Sequence, residues 1–102
     1  MSSLYYLHLK SNTLYLERGR VICSCHLYEN DRDRISVSLG AITFHQVQVT
    51  DLIRPGETVV LYEQVKSGRL FLRPQRMFDD PERFKLLSLL ESQSELKEIK
   101  SQ

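Results

Sequence analysis

Three basic residues and one aromatic residue lie close together in the sequence between positions 66 and 73. Arg69, Phe71 and Arg73 alternate along a predicted strand, so their side chains share one face, and Lys66 lies in the turn before it. Cations of this kind neutralise phosphates, and an exposed ring stacks on nucleobases. The pattern predicts a surface for single-stranded nucleic acid. Solvated arginines, with a phenylalanine covered by a helix or a partner, would give the same sequence.

Residue patterns that indicate catalysis are missing from the sequence. There is no GxSxG nucleophile elbow, no P-loop and no nucleophile with an obvious base. Two acidic pairs have structural explanations, since Asp31 and Asp33 lie in a hairpin and Asp79 and Asp80 precede a helix. We therefore expect a binding protein and not an enzyme.

The cysteines and histidines are too few and too scattered for a metal site. Cys23 and Cys25 are two positions apart on one predicted strand face, a poor geometry for a mutual disulfide. His8, His26 and His45 show no paired ligand spacing. We expect two reduced, inward-facing thiols and no bound metal or cofactor.

Length and charge set the scale of the protein. The 102 residues suffice for one hydrophobic core and are too few for two domains. With 14 basic and 13 acidic residues the net charge is +1, so nucleic-acid binding requires a local patch. No apolar run approaches the ~20 residues of a membrane span, and the first residues do not form a signal peptide. These features predict a soluble intracellular protein.

Alternation of apolar and polar residues, with turn residues between the runs, predicts five strands. They are expected at residues 14–28, 34–39, 42–49, 58–65 and 69–77. Gly19 permits a bulge or bend in the long first strand, and a change of parity predicts a second bulge near His45-Gln46. Both irregularities would help a small sheet to curve.

A helix is predicted from about Pro81 to residue 94. Asp80 suits the N-cap, Pro81 the first helical position, and Glu82 the positive end of the helix dipole. Apolar residues then spread over roughly 220° of the circumference, more than packing on one barrel requires. The tail to residue 102 either frays and extends on binding, or is a disordered end.

Five strands followed by a helix predict an all-β, five-stranded OB-fold barrel with a C-terminal α-helix. The chain would form a single domain, with the barrel over residues 12–78 and the helix over 81–94. A five-stranded SH3-like barrel is the alternative. The long, bent first strand and the long terminal helix favour the OB arrangement.

The wide apolar surface of the predicted helix indicates a protein partner. One flank would cover the barrel and the other would bind the partner, unless the N-terminal segment of the chain covers it. Outward-facing aliphatic residues on the barrel extend this surface. The expected partner-binding residues are Ile22, Val60, Met77, Phe84, Leu87 and Leu90.

Short motifs along nearly the whole chain resemble those of the T (Ten) subunits of the CST telomere-capping complex. They are Tyr5-Tyr6-Leu7, Asn12-Thr13-Leu14, Gly19-Arg20-Val21, Cys25-His26-Leu27-Tyr28, His45-Gln46-Val47 and Gly56-Glu57-Thr58-Val59. The leucine-rich C-terminal segment is similar as well. The compact length resembles that of the fungal members.

The resemblance implies a nuclear subunit at the telomeric region of chromosomes. Such a subunit forms a heterodimer with a larger OB-fold partner, the S (Stn) subunit, through its barrel and terminal helix, and protects chromosome ends. Its contact with single-stranded telomeric DNA is expected to be weak or indirect, which agrees with the lack of a basic surplus. Two alternatives stay open: the smallest subunit of a replication protein A-like complex, and a free-standing single-strand-binding OB module.

Overall fold

Strands dominate the computed structural model, which describes residues 4–23 and 35–100. Seven strands lie in one sheet, and two helices follow the sixth and the seventh strand. The strands are β1 (Tyr5–His8), β2 (Thr13–Ile22), β3 (Ile35–Leu39), β4 (Ile42–Val49), β5 (Thr58–Gln64), β6 (Leu70–Pro74) and β7 (Phe84–Leu86). The helices are α1 (Gln75–Phe78) and α2 (Leu89–Lys100).

The strand order in the sheet is β3-β4-β6-β5-β2-β1-β7. Neighbouring strands are antiparallel, except that β4 and β6 run parallel, with β5 lying between them in sequence. A mostly β domain with a C-terminal helix agrees with the predicted class. The prediction of five strands is wrong, because β1 and β7 add two more beside β2.

Both predicted bulges are present. The pairing of β2 with β5 shifts by one residue between Glu17 and Gly19. The pairing of β3 with β4 shifts between Ile35 and Val37, and opposite this point Gln46 adopts a φ of +62°. A bulge bends its strand and increases the local twist, so the sheet curves at these two places.

The main core lies on one face of this curved sheet. Its buried side chains are all branched aliphatic, and they are Val37, Val47, Val49, Ile53, Val59, Leu61 and Leu72. Ile53 comes from the connection between β4 and β5, where a turn at Pro55 and Gly56 leads into β5. This core joins strands from β3 to β5 and includes the half-buried Val21 of β2.

A contact between β2 and β3 shows that the sheet curls over the main core. A Cβ atom built on Gly19 would lie 2.8 Å from Cδ1 of Leu39. Three strands separate β2 from β3 in the sheet order, so a flat sheet could not bring these residues together. The side chain of Leu39, on the edge strand β3, thus packs against β2 at Gly19.

Replacing Gly19 with valine is expected to lower the free energy of unfolding by about 1–3 kcal/mol, because the new side chain overlaps Leu39. The measurement is urea denaturation followed by circular dichroism. In a chain that also carries Leu39→Ala, the same substitution should cost much less. An equal cost in both backgrounds would contradict the contact.

A second, aromatic core covers the opposite face of β5. It consists of Tyr6, Val60, Tyr62, Phe78 and Phe84. The ring centroids of Tyr6 and Phe78 are 4.5 Å apart, and those of Phe78 and Phe84 are 4.7 Å apart, in edge-to-face and tilted arrangements that aromatic rings favour. The segments β1, α1 and β7 each contribute a ring to this core. Together they cover the outer face of β5, which the five predicted strands alone would leave exposed.

The predicted start of the C-terminal helix at Pro81 is wrong. Asp80 caps a single turn instead, in which its Oδ1 accepts a hydrogen bond from the Glu82 amide at 3.0 Å. The chain then enters β7 and pairs antiparallel with β1. An N-cap contributes about 1 kcal/mol, whereas burying a ring such as Phe84 contributes about 1.5–3 kcal/mol. Tertiary burial therefore outweighs the local helix signals.

Helix α2 begins at Leu89 with Ser88 as its N-cap. The Ser88 hydroxyl accepts a hydrogen bond from the Glu91 amide (3.2 Å), and the Glu91 carboxylate accepts one from the Ser88 amide (3.1 Å). This is a capping box. Lys85 donates a further hydrogen bond to Glu91 (2.8 Å), and these bonds lower the pKa of that carboxyl to about 2. The helix runs to Lys100, so the tail beyond residue 94 is helical up to that point.

Other strand ends differ from the prediction or lie beyond the described residues. β5 ends at Gln64 and β6 at Pro74, so Met77 belongs to α1 and not to a strand. The predicted first strand reaches residue 28, but its end and Cys25 lie outside the described residues. Cys23 packs against the main core, as predicted for its orientation.

Candidate nucleic-acid interface

The structure separates the four predicted nucleic-acid-binding residues into two pairs. Lys66 and Arg69 are exposed in the turn between β5 and β6. Phe71 and Arg73 lie on β6 and are half-buried. Only the first pair is fully open to a ligand.

Phe71 is covered by aromatic residues of the same chain. Its ring stacks on Tyr62, with centroids 5.6 Å apart and an interplanar angle of 26°. Tyr15 approaches it edge-on at 6.2 Å. The ring therefore packs beside the aromatic core, which corresponds to the alternative interpretation of the sequence, in which the phenylalanine is covered.

Arg73 is held by residues of the same chain. Its Nε atom donates a hydrogen bond to the Thr50 hydroxyl (3.1 Å) and lies 3.4 Å from a carboxylate oxygen of Asp51. The guanidinium also lies 5.2 Å from the centroid of the Phe84 ring, a cation–π contact. Burial raises the pKa of neighbouring Tyr62 to about 12, although Arg73 opposes this rise. Arg73 thus stabilises the fold and is a poor candidate for a phosphate contact.

A shallow groove of about 220 Å³ lies beside the exposed Arg69. Its other walls are His45 and Gln46, which the bulge in β4 carries, and the β5–β6 turn from Ser67 to Leu70. On the adjoining strand, the Ser36 hydroxyl lies 3.0 Å from Nδ1 of His45. The groove lining itself brings together the Arg69 guanidinium, the His45 imidazole, the Gln46 amide and the Ser67 hydroxyl.

Of the groove residues only Arg69 was predicted from the sequence, and the most distant ones that were missed are His45 and Gln46. The signal for them was the bulge itself, because bulges often re-aim side chains beside a binding site. The left-handed φ of Gln46, at +62°, is the local result of that extra residue. Apart from the His45 imidazole, the groove lining includes no aromatic ring, so its chemistry suits a sugar–phosphate backbone better than stacking of successive bases.

The six predicted partner-binding residues divide into buried and exposed sets. Val60 (0% exposed), Phe84 (4%) and Leu87 (9%) are buried, so they do not lie on a partner-binding surface of this chain. The prediction for Val60 and Phe84 is wrong because β1, α1 and β7 cover the outer face of β5. Coverage by the N-terminal segment was the alternative considered from the sequence.

Exposed aliphatic residues remain at other positions. Ile22 is 73% exposed at the end of β2, Leu90 is 78% exposed on α2, and Met77 is half-buried on α1. Leu86 and Leu89 are exposed as well and were not predicted. Leu86, Leu89 and Leu90 occur within five consecutive positions at the β7–α2 junction, and we call them the leucine patch.

Residues 4–23 and 35–100 contain no cluster of three or more potential metal ligands. Neither α1 nor α2 is long and apolar enough to span a bilayer.

Comparison with known proteins found no relative of this chain. No protein family model, no characterised protein and no solved structure matches this chain.

Proposed function

We propose that the chain is a non-catalytic OB-fold subunit of a single-stranded-DNA-binding complex. It pairs with a larger OB-fold partner of Stn type and protects chromosome ends in the nucleus. The resemblance of its motifs to T subunits supports the telomeric role. The position of the groove on the sheet is the observation that carries the DNA-binding part of the proposal.

The sheet order supports an OB barrel. Such a barrel orders its five strands 2-3-5-4-1, with strands three and five parallel. When β1 and β7 are set aside, the order is β3-β4-β6-β5-β2, and the one parallel pair is β4 with β6. Counted from β2, this is the same order. The contact of Leu39 with Gly19 brings the two ends of that order together.

The position of the groove supports the DNA-binding part of the proposal, because it corresponds to the surface that OB barrels use for their ligands. These barrels use the face of strands two and three with the loops that follow strands one and four. In this chain the described ones among those elements are β3, β4 and the β5–β6 turn, and His45 and Arg69 line the groove between them. A single strand running through it would contact Arg69 with a phosphate.

The electrostatics of this surface predict weak binding by the isolated subunit. Among the ion pairs of the described residues, none involves Lys66 or Arg69, so both cations are available. Two cations release few counterions, and the salt dependence of binding should be correspondingly small. Tighter binding would require the larger partner. The exposed leucine patch supports this part of the proposal, because it offers a surface on which a protein can dock.

Arg69→Gln is expected to weaken binding of a fluorescent twelve-residue oligo(dT) about fivefold at low salt. The loss of one phosphate contact should also reduce the slope of log K against log salt by about 0.7. Fluorescence anisotropy measures both quantities. The matched control is Arg76→Gln, which removes an exposed arginine from α1.

The control decides between a site and a general charge effect. If Arg69→Gln and Arg76→Gln weaken binding equally, the groove is not the site. If the unchanged protein does not bind oligo(dT) even at low salt, direct DNA contact by this subunit is refuted.

A further inference from the structure

A second cleft, of about 380 Å³, adjoins the same β5–β6 turn. The sheet contributes the β1–β2 turn, with Ser11 and Asn12, and the end of β5, with Gln64 and Lys66. The remaining wall is α2, through Glu95 and its neighbours. The cleft is therefore shared between the sheet and the terminal helix.

The sheet side of the cleft suits a nucleotide. Pockets for small ligands measure roughly 300–1,000 Å³, so this cleft is large enough, whereas the 220 Å³ groove is smaller. Lys66 supplies a cation, and Asn12 and Gln64 supply amides. The Gln64 oxygen accepts a hydrogen bond from the Ser67 hydroxyl at 2.6 Å, a bond that does not use its amide nitrogen.

The helix side of the cleft carries the opposite charge. Glu95 and Glu98 both line it. A phosphate in the cleft would lie close to the Glu95 carboxylate, and like charges repel. As long as α2 occupies this position, the cleft admits an anion poorly.

Packing holds α2 only loosely against the sheet. Ser92 is its one buried residue among those described, and Leu96 and Ile99 are half-buried. Its first turn exposes Leu89 (72%) and Leu90 (78%), which belong to the leucine patch. A partner that binds this turn can therefore move the helix at the cost of little buried apolar area.

We infer that the cleft is a second subsite for the backbone of a single strand, joined to the groove across the β5–β6 turn. In the isolated subunit the Glu95 carboxylate of α2 keeps anions out of the cleft, and a partner bound at the leucine patch admits them by shifting this part of the helix. The two binding events then favour each other, because coupling between sites is reciprocal. This inference rests on the proposed function of the groove.

The test uses the full chain and the same fluorescent twelve-residue oligo(dT). Glu95→Gln removes one carboxylate from the cleft and should raise the affinity about fivefold. Glu82→Gln, which removes an exposed carboxylate outside the cleft, should leave the affinity nearly unchanged. Adding Lys66→Gln to the Glu95→Gln chain should abolish the gain. Circular dichroism checks that α2 stays helical.

Each remaining outcome overturns the inference in a recognisable way. Equal gains from Glu95→Gln and Glu82→Gln would indicate a general charge effect and no subsite. No gain from Glu95→Gln, while Arg69→Gln still weakens binding, would refute the second subsite and leave the groove in place. Absence of binding by every variant would refute both the subsite and the proposed function.

Discussion

Replacing Phe84 with alanine is expected to lower the free energy of unfolding by about 3–5 kcal/mol. The side chain is 4% exposed, and its ring contacts those of Phe78 at 4.7 Å and His8 at 4.9 Å. Domains of this size are stable by about 5–15 kcal/mol, so the variant would lose a large share of its stability. Chemical denaturation followed by circular dichroism gives the value.

Leu86→Ala is the matched control for this substitution. Leu86 lies two positions further along the same short strand, and its side chain is 54% exposed. Its truncation should cost less than about 1 kcal/mol. If both variants cost the same small amount, Phe84 is not in a core. That result would support the exposed helical position that the sequence predicted.

Leu90→Glu is expected to leave the fold intact and to weaken association with a protein partner at least tenfold, or about 1.4 kcal/mol. Leu90 is 78% exposed in the leucine patch, so a charge there stays in water until a partner covers it. The partner is first identified by mass spectrometry of proteins that co-purify with the tagged, unchanged chain. Quantitative co-purification then compares the variants.

Leu87→Glu is the companion variant, and it should fail for a different reason. Leu87 is buried, so an unpaired carboxylate there would destabilise the fold by several kcal/mol. Circular dichroism should show loss of structure for Leu87→Glu and a native spectrum for Leu90→Glu. If Leu90→Glu retains every partner of the unchanged chain, the leucine patch is not the interface.

Strands that alternate regularly were predictable from the sequence. β4 has the bounds expected and β3 ends at Leu39 as expected, and the bulges at Gly19 and Gln46 occur where a glycine and a parity change indicated them. These features depend on neighbouring residues in the chain. The two-residue period of β3, with Val37 inward and Ser36 and Ser38 outward, can be recognised from the residues of that strand alone.

Features that depend on distant residues were not predictable in the same way. β7 has three residues, and its strand conformation depends on pairing with β1 at the other end of the chain. The outward side of Val60 became a core because α1 and β7 fold over it. One local signal was available, since Ser88 and Glu91 have the spacing of a capping box and mark the true start of α2.

In the candidate site, too, features set by neighbouring residues were predictable and features set by distant residues were not. Exposure of Lys66 and Arg69 could be predicted because a turn with Gly68 places them in solvent. The partners of Arg73 could not, because Thr50 and Asp51 approach it from the end of β4. Alternating arginines indicate that their side chains lie on one face of a strand. They do not indicate whether a distant carboxylate binds one of them.

The separation of the two cores gives the molecule two distinguishable optical signals. The chain has five tyrosines and no tryptophan, and Tyr6 and Tyr62 lie in the aromatic core, with Tyr15 packed against it. The main core is built from aliphatic side chains, with Phe44 at its margin. Emission from these three tyrosines therefore reports on the layer formed by β1, α1 and β7, while amide circular dichroism reports on the whole sheet. Detachment of β7 alone would change the first signal with little effect on the second.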